Sequence, residues 1–144
     1  MCELAESQLG WTHLSTGELI RAEQDKGGAT AATIDALLAD GQLVPNEIVV
    51  PLLKNAMETI TRTTGKRNFL LDGFPRSLNN LEGWYECFGR EAELPKMLFF
   101  ECPYDVLEKR ILGRAKYTGR NDDNIESIKP VSYTHLTLPT IYSV

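Results

Sequence analysis

The apolar run Phe69-Leu70-Leu71 ends in Asp72-Gly73-Phe74-Pro75-Arg76, and a helical pattern starts almost at once at Leu78. An apolar strand that stops on a carboxylate, a glycine and a proline-fixed arginine constrains the fold more than any other stretch of the chain. A surface hairpin needs none of these groups. The punctuation recurs downstream: Arg67 to Leu71 reads as a strand, Leu78 to Phe88 as a helix, Lys96 to Cys102 as a second buried strand and Tyr104 to Lys116 as another helix. Strands separated by helices imply parallel pairing through crossovers, so the expected class is α/β, a doubly wound parallel sheet flanked by helices. In such sheets ligands collect outside the carboxyl ends of the strands, which is where Asp72 to Arg76 fall.

Upstream the pattern is mainly helical. Cys2 to Leu9 reads as the last turns of a helix closed by Gly10, and Trp11 to Leu14 as a short strand. Ser15 and Glu18 have the spacing of a capping box, which opens a helix through Arg21 and Glu23 that stops at Gly27-Gly28. Ala31 to Asp40 carries Ile34, Leu37 and Leu38 on one face and ends at Gly41. After the loop Gln42-Leu43-Val44-Pro45, Asn46 is expected to cap a longer helix bearing Ile48, Val49, Leu52, Leu53, Met57 and Ile60. Trp11, Phe99 and Phe100 are assigned to the core, Cys87 and Cys102 to small buried apolar positions, and His13 to a packing or capping role.

Bulk properties exclude several classes. The 144 residues are 42% hydrophobic and 24% charged, enough apolar content for one globular domain. A net charge of −5 is the wrong sign for a nucleic-acid or membrane-surface binder, so any phosphate binding is local. The three cysteines are far apart and odd in number, which favours neither a disulfide framework nor a zinc motif, and points to a reducing, cytoplasmic setting. No apolar run reaches the length of a bilayer span.

The residues at the strand end have a common chemistry. Asp72 can hold a magnesium-bound water, as strand-end carboxylates do in phosphoryl-transfer enzymes. Gly73 allows close backbone approach to a phosphate, and Pro75 fixes the turn that presents Arg76. The Arg76 guanidinium is a planar two-pronged fork for phosphate oxygens. Further on, Gly113 to Asn124 is polar, glycine-rich and dense in both charge signs. It reads as a small cover whose Arg114 and Arg120 neutralise phosphate charge, with Asp122 and Asp123 pairing those arginines or fastening the closed state.

Four blocks, THLSTGELIRAE, GQLVP, DGFPRSLNNLEGW and GRAKYTGRNDDNIES, give residues 2–129 a resemblance to the nucleoside monophosphate kinase family, nearest its UMP-CMP kinase branch. The resemblance implies a P-loop kinase-type sheet, here incomplete. A helical acceptor-binding segment over residues 15–44 and a short lid over residues 113–123 go with it. It further implies that MgATP donates a phosphoryl group to UMP or CMP, with ATP and Mg2+ as cofactors, in a monomer. By family position, Ser15, Thr16 and Gly17 line the nucleoside and Arg21 reaches the acceptor α-phosphate. Gln42, Leu43 and Val44 close over base and ribose, Gly73, Phe74 and Arg76 border the phosphates, and Asn80 faces the base. An amide offers both donors and an acceptor, and is expected to serve either pyrimidine by turning over. Ala115 departs from the family, which has glycine there. The alternatives are an adenylate kinase acting on AMP, and a non-catalytic nucleotide-binding module.

No GxxxxGK[ST] pattern occurs in the sequence, so the chain is expected to start after the family's phosphate-cradling loop and to be an inactive fragment. From Pro130 onward no Asp, Glu, Lys or Arg occurs. Pro130 to Thr140 resembles a translated transposon-end adapter, so residues 130–144 are expected to be a non-native tail. A β-rich natural terminus is the alternative reading.

Overall fold

The structure, a computed structural model, describes residues 2–94, 96–98 and 102–118. The chain divides into two compact units, Met1–Ala92 and Glu93–Val144. In the first, the elements run α1 (Cys2–Leu9), β1 (Thr12–Ser15), α2 (Thr16–Lys26), α3 (Ala29–Ala39), α4 (Asn46–Thr64), β2 (Phe69–Asp72) and α5 (Leu78–Phe88). The second contains α6 (Tyr104–Thr118).

β1 and β2 pair in parallel, Thr12 opposite Phe69 through Ser15 opposite Asp72. Parallel partners need a long crossover, and α2, α3 and α4 supply it. Both strands therefore end at the same edge, and the turns that leave Ser15 and Asp72 are brought side by side. The stops of α1, α2, α4 and α5 follow from glycines with positive φ. Gly10 (+67°) and Gly65 (+73°) leave α1 and α4 in the left-handed region, where a side chain is disfavoured.

The core of this unit lies where α4 packs against α5 and α2, with α3 against α2. Ile34, Val50, Leu53 and Trp84 are almost wholly buried, with Leu14, Phe74 and Phe88 beside them. Trp84 anchors an aromatic column: its ring centroid is 5.6 Å from that of Phe74 and 4.0 Å from that of Phe88. Its indole N–H donates to Ala92 O at 3.4 Å, so the polar end of the ring is not stranded. The Lys54 ammonium caps the column 5.5 Å from the Phe88 centroid and donates to Cys87 O at 3.1 Å.

Several expectations need correction. Ser15 makes no side-chain cap bond to α2, because it is the last paired residue of β1. The serine that does cap a helix is Ser77, whose hydroxyl accepts from Asn80 N at 3.2 Å. Asn46 is not a cap either: Pro45 holds that position, its carbonyl accepting from Ile48 N and Val49 N, and Asn46 is the first residue of α4. Among the described residues of the expected strand Lys96–Cys102, none is in a strand, and Met97 and Leu98 are 50% and 73% exposed. An apolar run supplies strand propensity but becomes a strand only through a hydrogen-bonded neighbour. Trp11 is exposed, and Cys87 and Cys102 are half-buried and not core. Phe99 and Phe100 lie outside the described residues. No helix among the described residues is long and apolar enough to cross a membrane.

Candidate functional site

The carboxyl ends of β1 and β2 open onto a cleft of about 320 Å³, within the usual range for small-molecule sites, about 300–1,000 Å³. Thr16, Gln42, Leu43, Val44, Gly73, Phe74, Arg76 and Asn80, all expected at the site, line it. So do Ile20, Leu38, Asn46 and Asn79, which sequence reasoning had given no such place.

Gly73 is where the two strand ends lock together. Its φ of +74° is in the glycine-favouring region, and a Cβ there would lie 2.8 Å from both Arg76 Nη2 and Thr16 Oγ1. The expected reason for this glycine was close approach to a phosphate; the space is in fact filled by two of the protein's own side chains. The buried Thr16 hydroxyl lies 3.1 Å from Asp72 O and 3.2 Å from Gly73 O, to which it donates, tying the start of α2 to the end of β2. Arg76 Nε donates to Gly73 O at 2.7 Å. One edge of the guanidinium is thereby fixed, and its terminal amino groups make no hydrogen bond among the described residues. A fork held at its root and open at its tips suits an anion.

Asn80 is fixed at both ends of its amide. Oδ1 accepts from Arg76 N at 2.7 Å, and Nδ2 donates to Asn46 Oδ1 at 2.5 Å. The Asn46 amide in turn donates to Asn79 O. The amide of Asn80 is thus oriented by its neighbours. Close approach of α4 and α5 makes this possible: a Cβ on Gly83 would sit 3.0 Å from Asn46 Cβ and 3.1 Å from its Cγ and Nδ2. The asparagine that sequence reading assigned to a cap is the brace of the site. The signal available for it was the Gly83-Trp84 pair, one small residue at a helix contact followed by one large anchor.

The opposite side of the cleft is built differently. Leu38, Leu43 and Val44 come from the end of α3 and the following loop, where Gly41 N donates to Leu38 O and Gln42 N to Leu37 O. Leu38 and Leu43 are 44% and 53% exposed, whereas Val44 is buried.

Ser15, Gly17, Arg21 and Asp72 do not line the cleft but border it along the chain. The Arg21 guanidinium and Ser15 Oγ converge over Gly17, 3.5 and 3.8 Å from where its Cβ would be. Asp72 is exposed at the strand end, its carboxylate 3.8 Å from His13 Nε2. Such an open carboxylate suits Mg2+, which keeps most of its waters and takes one or two acidic ligands. Gly113 and Arg114 belong to α6, Arg114 being exposed, and that helix continues to Thr118. Arg120, Asp122 and Asp123 lie outside the described residues.

Known proteins share this sequence. The family model for adenylate kinase matches residues 1–142. UMP-CMP kinase of Gallus gallus is 39% identical over 137 residues, 94% of this chain and 70% of that protein. The Xenopus laevis and Homo sapiens UMP-CMP kinases are 40% and 38% identical, with 94% of this chain covered and 71% and 70% of theirs. At this extent and identity, the chain belongs to the adenylate kinase family and is a nucleoside monophosphate kinase, a phosphotransferase whose phosphate donor is ATP.

Proposed function

We propose that the cleft binds the acceptor of the reaction and that this acceptor is a pyrimidine nucleoside monophosphate, UMP or CMP. The observation that carries the reading is the fixed Asn80 amide beside the anchored Arg76 fork. An amide has two N–H donors and two acceptor lone pairs, so one of each remains after its bonds to Arg76 and Asn46. The remaining N–H can donate to cytosine N3 while the remaining lone pair accepts from its amino group; in uracil N3–H meets the amide oxygen and a carbonyl meets the amide N–H. The amide then serves both bases by a displacement of the base, its own bonds to Arg76 and Asn46 being kept. Preference over AMP is supported by the name carried by the relatives and by asparagine at this position.

Phosphoryl transfer asks little covalent chemistry of the protein; positioning and charge neutralisation dominate. Arg76 grips acceptor phosphate oxygens, and Arg21, over Gly17, reaches the α-phosphate. Val44 and Leu43 close over base and ribose, with Thr16, Gly73 and Phe74 forming the floor. Asp72 would hold Mg2+ through a water, and the ion, bound with ATP, would neutralise charge on the transferring phosphates. By the family resemblance, Arg114 and Arg120 neutralise charge on the transferring phosphates, with Asp122 and Asp123 as their acidic partners in sequence. Donor binding by these 144 residues alone is weak, since they contain no GxxxxGK[ST] loop to cradle phosphates.

Acceptor binding is therefore the direct test. Calorimetric titration of the chain with CMP, UMP and AMP is expected to rank both pyrimidine nucleotides above AMP. AMP binding more tightly would refute the acceptor assignment, and equal, salt-insensitive failure of all three would remove the cleft from consideration.

A further inference from the structure

His13 has a buried imidazole nitrogen that the cleft does not use. Its Nε2 is shielded from solvent and has no hydrogen-bond partner. A buried polar atom without a partner is costly, so such atoms are rare without a ligand or function. The nearest acidic oxygen, Asp72 Oδ2, is 3.8 Å away, too long for a hydrogen bond. Strand register explains why the two share a side. His13 pairs with Leu70, and Asp72 lies two residues beyond Leu70, so period-two alternation places His13 and Asp72 on one face of the ladder. Cys2, at the start of α1, brings a thiol to the same place: its sulfur, a His13 ring nitrogen and an Asp72 oxygen all lie within 4.8 Å of one another.

We propose that Cys2, His13 and Asp72 form a binding site for a thiophilic divalent cation of the zinc class. Sulfur, imidazole and carboxylate together are a zinc donor set, whereas Mg2+ and Ca2+ call for oxygen throughout. Around a tetrahedral zinc, with bonds of about 2.0–2.3 Å, neighbouring ligand atoms lie about 3.3–3.6 Å apart. The observed triangle needs to contract by roughly one ångström at its widest, a shift within reach of χ1 rotation of the Cys2 and Asp72 side chains. Half-exposed Asp72 leaves the fourth position open to water. The site needs nothing from the acceptor reading in order to bind. Its consequence does rest on the role given to Asp72: a zinc ion here and the magnesium-bound water compete for one carboxylate.

The probe is Co2+, added to the full chain carrying Cys87→Ser and Cys102→Ser so that only one thiol remains. Expected are tetrahedral d–d bands with a thiolate-to-cobalt charge-transfer band, both displaced by Zn2+ and unaffected by equimolar Mg2+. Adding Cys2→Ser removes the charge-transfer band. His13→Asn and Asp72→Asn, with helical circular dichroism unchanged, each weaken binding tenfold or more. Octahedral spectra, no charge-transfer band, or a Co2+ affinity unchanged by either the histidine or the aspartate substitution overturns the site. Nucleotide binding is not part of the readout, so failure here leaves the acceptor reading untouched, and failure of that reading leaves this one.

Discussion

The two sides of the cleft are held by different physics. On the α5 side, each polar group is tied to another: Arg76 to Gly73 O and Asn80, Asn80 to Ser77 and Asn46, Asn46 to Asn79. Behind them Trp84 fills the core. On the loop side, Leu38 and Leu43 are substantially exposed, with only Val44 buried. The first side is pre-organised, so it presents donors and acceptors at fixed positions without an ordering cost at binding. The second is apolar and lightly held, so it can close over a base without breaking hydrogen bonds. On the proposed reading, recognition and closure are divided between neighbouring parts of one small cleft.

The comparison can be broken most severely from behind the α5 side. Trp84→Ala empties a buried site and is expected to cost about 3–5 kcal/mol, read as a lower midpoint in urea unfolding. A loss under about 1 kcal/mol would mean that the aromatic column does not support the α5 side. Gly83→Ala strikes the junction itself, since its methyl meets Asn46 at 3.0 Å. Overpacking of this kind costs about 1–3 kcal/mol, and because it pushes Asn46 from Asn80 it should also weaken CMP and UMP binding. Unchanged affinity would show that the brace is not needed. Asn46→Ala leaves the space and removes the bond: the expected cost is about 1 kcal/mol in stability, with relaxed discrimination among CMP, UMP and AMP in the same titrations. Smallest of all, Leu43→Ser on the loop side should change stability by less than about 0.5 kcal/mol while weakening nucleotide binding measurably. If it destabilised the fold as much as Gly83→Ala, the two sides would not differ as described.

Local sequence signals placed most helices well because they carry their own punctuation. Leu78 to Phe88 was legible to the residue, and Gly10 and Gly27 end helices by backbone freedom that needs no tertiary partner. Signals that depend on where a side chain points were misread. Ser15 and Asn46 are both good capping residues, but one is held in the β1 ladder and the other reaches across to α5. Lys96 to Cys102 has strand composition, yet none of its described residues is in a strand. Among the expected site residues, Thr16, Gly73, Arg76 and Asn80 converge because the α2–α4 crossover sets two strand ends side by side.

The order of elements, the glycine stops, the phosphate-directed chemistry of Asp72 to Arg76 and the family itself are properties of the linear chain. They rest on interactions within a few residues or on patterns carried by the residue types. The orientation of the Asn80 amide, the use of Asn46 as its brace and the reason for Gly73 were decided only by the folded arrangement. Each joins residues far apart in the chain, with Asn46 and Asn80 separated by 34 positions. A hydrogen bond at that separation is set by helix packing, which no local pattern encodes.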